Sequence, residues 1–160
     1  MKYEIKILTD SIEKSETCEK IIRRLPQWFG VKDANRKYIQ EASELSALAV
    51  KQGNENVALL LYKQLHDSSL GQIVMDIHWL GVLPELHGKG LGKNLVKTLN
   101  DIAKSGGVAC LTVDTLDPAI EDEDYLKTFG FYKGIGFSVF HRFSHDEKNP
   151  MVRMKMPVRS

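Results

Sequence analysis

Val82-Leu83-Pro84-Glu85-Leu86-His87-Gly88-Lys89-Gly90-Leu91-Gly92-Lys93 is the most informative stretch of this 160-residue chain. An apolar run ends at Val82, and beyond the glycines Leu91, Leu95, Leu99 and Ile102 line one face at helical spacing. Lys93, Asn94, Lys97, Asn100 and Lys104 fall on the other face. The stretch therefore reads as strand, glycine loop and amphipathic helix. Alternate glycines let backbone N–H groups turn toward a ligand with no Cβ in the way. The helix start adds partial positive charge, which suits phosphate. A Walker loop does not fit, because only three residues separate Gly88 from Gly92 and Asn94 stands where Ser or Thr would hold Mg²⁺. A dinucleotide fingerprint fails as well, its third glycine being replaced by Lys93 or Leu95.

Outward from the loop, the pattern predicts a mixed α/β chain. Upstream come a strand over Tyr3–Ile7, a helix from about Asp10 to Arg24 stopped by Pro26, and a second helix from Asp33 to about Glu44. Leu45–Val50 and Val57–Leu65, split by Gly53-Asn54, read as a hairpin, and Gly71–Val82 as a third strand. Downstream, Gly106-Gly107 ends the amphipathic helix. A strand over Val108–Thr115, an acidic loop, a helix over Tyr125–Gly134 and strands over Phe137–Phe143 and Met151–Val158 complete the series. No repeat or linker interrupts it, so one domain over residues 1–160 is expected.

Composition narrows the classes. With 42% hydrophobic and 27% charged residues, a chain of this length can bury roughly 70% of its unfolded surface in one core. A net charge of +1 gives no support to a nucleic-acid surface. That near-zero total is a cancellation: residues 87–104 hold four lysines against one aspartate, and residues 114–124 hold six acidic residues and no basic one. The first cluster suits an anionic ligand; the second is a solvated loop or an attractor for a cationic one. Cys18 and Cys110 form no CxxC pair and read as reduced core thiols. Charges interleave from Lys2 to Lys6, and no apolar run is long enough to span a membrane, so a cytoplasmic location and no membrane partner are expected.

His87-Gly88-Lys89-Gly90-Leu91-Gly92 resembles the [Gln/Arg]-x-x-Gly-x-Gly/Ala loop that binds the acetyl-CoA pyrophosphate in the GNAT superfamily of N-acetyltransferases. His87 stands at the Gln or Arg position, where a neutral imidazole can still donate a hydrogen bond. Phe131-Tyr132-Lys133-Gly134-Ile135-Gly136-Phe137 looks like the family's Phe-Tyr-x-x-x-Gly-Phe segment, and Tyr125-Leu126-Lys127-Thr128 resembles a Tyr-x-x-Thr variant of the helix before it. The resemblance covers most of the chain and looks like a bacterial branch of small acetyltransferases. It implies a mostly antiparallel central sheet of about seven strands, flanked by about four helices and splayed between strands 4 and 5. Acetyl-CoA is the implied co-substrate, held by Val82, His87, Gly88, Lys89, Gly90, Leu91, Gly92, Lys93 and Tyr125, and family members often form homodimers.

The implied reaction is transfer of an acetyl group from the thioester to a primary amine of a small molecule or peptide. An alkylamine of pKa about 10.4 is only roughly one part in a thousand neutral at pH 7, so a base matters. Asp76 and His78 share one strand face and are the candidates. A carboxylate near pKa 3.9 would need a water relay or a raised pKa, whereas imidazole near 6.5 matches neutral pH. Tyr132 matches the family's acid to the CoA thiolate, and the backbone N–H of Val82 its oxyanion donor. Trp28 and Phe29 line an acceptor pocket or anchor the core. His66, His141 and His145 have no ligand-like spacing, and no metal is expected. The alternatives are an idle acetyl-CoA-binding sensor and an acyltransferase using another acyl-CoA.

Overall fold

The computed structural model describes residues 2–30, 32–144 and 149–160. Its elements are β1 (Tyr3–Leu8), α1 (Ser11–Arg23), α2 (Lys32–Ala42), β2 (Ser46–Gln52), β3 (Glu55–Asp67), β4 (Gln72–Val82), α3 (Leu91–Ser105), β5 (Cys110–Leu116), α4 (Glu123–Ile135), β6 (Ser138–Ser144) and β7 (Pro150–Pro157). The strands form one seven-stranded sheet in the order β1-β2-β3-β4-β5-β7-β6. β4 and β5 run parallel, whereas β1–β2, β2–β3, β5–β7 and β6–β7 are antiparallel. The parallel ladder is only three pairs long, from Met75↔Leu111 to Ile77↔Val113, and β4 continues to Val82. Strand order and short ladder fit the expected splay between strands 4 and 5. The residues group into two units, Met1–Lys63 with His78–Leu99, and Gln64–Ile77 with Asn100–Ser160.

In the first unit Asp10 caps α1, its carboxylate accepting the Glu13 N–H at 2.8 Å. Two lysines on α1 reach across to backbone carbonyls: Lys14 Nζ donates to Leu45 O, just before β2, at 2.8 Å and Lys20 Nζ to Asn56 O of β3 at 2.6 Å. The apolar stretch Val57–Tyr62 of β3 is buried residue after residue, as a strand covered on both faces must be. Ile21, Leu48, Val50 and Leu95 are fully buried in the same unit. On β4 the buried residues Trp79 and Gly81 alternate with half-buried His78, Leu80 and Val82. Gly81 has no side chain because the Trp79 ring lies over it; a Cβ there would meet the ring and stand 2.9 Å from Ile21 Cγ2.

In the second unit β5 lies between β4 and β7, with Val74, Leu111, Val152 and Met154 fully buried. Arg153 forks onto Asp114 through Nε at 2.7 Å and Nη2 at 3.0 Å, and its Nη1 lies 3.7 Å from the buried Asp67 carboxylate. Half of the six acids in the acidic stretch are therefore structural. Asp117 takes Arg142 at 2.7 Å and the Ala119 N–H at 2.9 Å, and Asp122 caps α4 through the Asp124 and Tyr125 N–H groups. One expectation is corrected. Asn100, predicted on the polar face of α3, is buried, because its amide donates to Arg159 O and accepts from Arg159 N, tying the helix to the C-terminal segment.

Gly81→Ala should destabilise the protein by about 1–3 kcal/mol through overpacking against Trp79. Urea unfolding followed by tryptophan fluorescence checks this, and an unchanged midpoint would contradict it.

Candidate active site

Within the first unit the glycine loop adopts the backbone that its sequence demands. Gly88 and Gly90 sit at φ +79° and +81°, a region costly for residues with a Cβ, and nothing lies within 4 Å of where either Cβ would be. The first helical bond of α3 runs from Asn94 N to Gly90 O at 3.0 Å. The N–H groups of Leu91, Gly92 and Lys93 thus open the helix without intrahelical acceptors. No acidic residue occupies the first turn of α3, and Lys89 and Lys93 are exposed beside it. Leu91 and Gly92 are buried, anchoring the turn. A run of donors with an open approach and two cations fits a pyrophosphate.

His87 has a more specific position than its motif suggests. Its Nε2 stands 2.7 Å from Val82 O, and a carbonyl only accepts, so the proton is on Nε2. That N–H is spent bracing the loop against the end of β4. Trp28 packs edge-on against this ring at 5.8 Å. Val82 ends β4 half-exposed, and the next N–H, of Leu83, goes to Val57 O at 3.0 Å.

His78 lies beside α2. Glu41 Oε2 stands 3.2 Å from His78 Nε2, and Tyr38 packs edge-on against the imidazole at 6.2 Å. Phe29 links Tyr38, at 6.0 Å, with Trp79, at 5.4 Å. Burial holds the His78 pKa below its ordinary value; Glu41 opposes this, while Lys63 and Lys37 add to it. The ring is therefore neutral at pH 7. Burial, then Glu41, pushes the Tyr38 phenol upward.

The second unit carries the other candidates. Asp76 accepts the Thr112 hydroxyl at 2.7 Å, across the short β4–β5 ladder. Tyr132 on α4 is buried, with its ring edge-on to Phe131 at 5.1 Å and Phe137 at 5.5 Å. Burial, and then the charge of Asp76, drives its pKa well above the ordinary phenol value, so it stays protonated. Tyr125 lies half-buried in the first turn of the same helix.

Over residues 10–137 the sequence matches the acetyltransferase (GNAT) family. The chain belongs to the GNAT acetyltransferase family. No curated protein matches this GNAT sequence. Among solved structures it is similar to a protein from Desulfovibrio desulfuricans described as an acetyltransferase of the GNAT family, with TM-score 0.84 and 13% identity over 99% of this chain and 100% of that one. It is also similar to the ribosomal-protein-S18-alanine N-acetyltransferase of Escherichia coli (TM-score 0.69, 14% identity, 98% and 96% covered). A third is the PaiA N-acetyltransferase of Thermoplasma acidophilum in complex with coenzyme A (TM-score 0.68, 18% identity, 96% and 99% covered). At these identities the likeness is one of fold.

The GNAT motifs led to the loop, to β4 and to Tyr132, but not to the partners Glu41, Tyr38 and Thr112. Tyr38 and Glu41 are three residues apart on α2, so helical spacing could have paired them with each other, not with His78. His66 and His141 are exposed strand residues, and His145 lies outside the described residues. Among the described residues no group of three or more His, Cys, Asp or Glu could hold a metal ion, and no helix is long and apolar enough to cross a membrane. Cys18 and Cys110 are buried, free thiols; burial pushes Cys18 up to about 12.

Gly90→Ala should impose about 1–2 kcal/mol of strain and weaken coenzyme A binding roughly tenfold. Titration calorimetry reads the affinity, and wild-type binding would contradict the role given to this backbone.

Proposed function

We propose that this chain, as one domain over residues 1–160, is an acetyl-CoA-dependent N-acetyltransferase acting on a primary amine of a small molecule or peptide. The observation that carries the reading is the Gly88–Gly90 turn, which leaves backbone donors and an open approach at the start of a helix with no acid in its first turn. The loop backbone from His87 to Lys93, with the Lys89 and Lys93 charges, holds the pyrophosphate, and Tyr125 contacts the pantetheine arm. Bound acetyl-CoA supplies an activated acyl thioester. Buried thiols accord with a reducing, cytoplasmic setting.

Of the two base candidates, His78 is the one assigned the role in this proposal. Its imidazole is neutral at pH 7, because burial lowers its pKa, and it can accept a proton there. Asp76 already accepts a hydrogen bond from Thr112, and an ordinary carboxylate is a weak base. His78 removes one proton from the acceptor ammonium, which leaves a nucleophilic nitrogen lone pair. The Val82 N–H stabilises the carbonyl oxygen as the C–N bond forms and the C–S bond breaks. Tyr132, kept protonated by burial, gives its proton to the departing sulfur, and the second nitrogen proton replaces it. One ammonium and one thioester thus yield one amide, one thiol and one proton. Trp28 and Phe29 line the acceptor side.

Free-thiol release from acetyl-CoA across polyamines, aminoglycosides, amino acids and peptides tests the reading. Coenzyme A binding without thiol release from any amine would point to a sensor, and release from other acyl-CoA esters alone to a different donor. Tyr132→Phe should lower kcat about 100-fold with the acetyl-CoA KM within about twofold. An unchanged kcat removes Tyr132 from the mechanism.

The base must be neutral, so activity falls as pH drops through the His78 pKa. Because that pKa is lowered, the acidic limb of kcat/KM should have its midpoint below about 6.5. His78→Ala should abolish this limb, and its persistence would assign the base elsewhere.

A further inference from the structure

We propose that Glu41 of α2 and His78 of β4 work as a carboxylate–imidazole pair that receives the acceptor as a primary alkylammonium and takes its proton, with Glu41 as the positioning residue. The proposal rests on the reading of His78 as the base. Glu41 Oε2 and His78 Nε2 are 3.2 Å apart, and the two side chains are 27% and 18% exposed, so the pair is shielded yet reachable. A carboxylate against one ring nitrogen favours the tautomer protonated there and leaves the Nδ1 lone pair to accept. It also supports the imidazolium formed once the proton has moved, as the buried aspartate does in a hydrolase triad.

Glu41 Oε1 and His78 Nε2 are buried without an aligned hydrogen bond, so the contact between the two is an ion-pair approach rather than a closed one. A buried carboxylate oxygen with no donor is costly, and the imidazolium formed by proton transfer brings a charged N–H to it. The terminal torsion of glutamate is broad, so the carboxylate can turn to close on the His78 Nε2–H. Tyr38, edge-on to the imidazole, and Phe29, edge-on to Tyr38, are aromatic groups suited to the alkylammonium cation and its methylenes. The groups facing the imidazole are Glu41, Lys37 and Tyr38 from α2 and Lys63 from β3. Among them Glu41 alone opposes the fall of the imidazole pKa, and it is the group in direct contact. The step moves one proton from R–NH₃⁺ to His78 Nδ1, giving R–NH₂ and an imidazolium paired with the Glu41 carboxylate. An amine already neutral in solution has no need of this step.

The experiment titrates the His78 ring by NMR in the intact chain, for wild type, Glu41→Gln and Glu41→Asp. It also follows kcat/KM for n-butylamine from about pH 4.5 to about 9.5. Glu41→Gln should lower the His78 pKa by about one unit and move the acidic limb with it. At pH 7 it should cost about three- to tenfold in kcat/KM, with the acetyl-CoA KM within about twofold. The deficit should close toward pH 9.5, as the amine approaches its pKa of about 10.4 and needs the base less. Glu41→Asp, which keeps the charge but withdraws it, should fall between the two. The proposal is overturned if His78 titrates alike in all three proteins, or if the deficit is the same at every pH, as a purely structural role would give. Failure of the wild type to release thiol with any amine would sink the acetyltransferase reading instead, and the titration, which needs no turnover, tells the two apart.

Discussion

The first three N–H groups of α3 have no carbonyl one turn behind them, because the chain enters the helix from a left-handed glycine rather than from a side-chain cap. Much of the candidate site depends on how this debt is left open. Asp10 and Asp122 close the same kind of vacancy at the starts of α1 and α4 with a carboxylate. At α3 the sequence withholds any such group and places glycines and lysines there. Leu91 and Leu95, buried in the same unit, hold the helix while its first turn faces outward. His87 then fixes the loop to the end of β4 by spending its proton on Val82 O.

β4 is the second organising element, because strand alternation divides its residues by task. Met75, Ile77, Trp79 and Gly81 are buried, and Trp79 fits only because Gly81 has no side chain. Asp76, His78, Leu80 and Val82 are half-buried, so polar groups can sit on a strand that is otherwise core. Thr112 and Glu41 then give the two candidate bases different surroundings. A hydroxyl donated to Asp76 occupies an acceptor site, whereas a carboxylate beside a buried imidazole supports proton uptake. Acid and base candidates differ likewise: burial keeps the Tyr132 phenol protonated and the His78 ring deprotonated, each in the state its proposed role needs.

What the sequence by itself determined was whatever neighbouring residues encode together. Helical spacing from Leu91, alternation along β1 and the positive φ at Gly88 and Gly90 are local, so element order, the loop and the family were legible from the chain. Only the tertiary structure decided which polar groups meet. Asn100 looked solvent-facing by its helical angle, yet it binds Arg159, 59 residues away. Asp114 looked like the edge of an acidic loop, yet it takes Arg153, 39 residues away. His87 stands at the motif's phosphate-donor position, yet its Nε2–H goes to Val82 O. Glu41 carries no motif in the sequence, and only the fold sets it against His78. Periodicity reports which face a residue occupies, but a hydrogen bond or ion pair needs two groups within about 3–4 Å, and that distance exists only once the elements have packed.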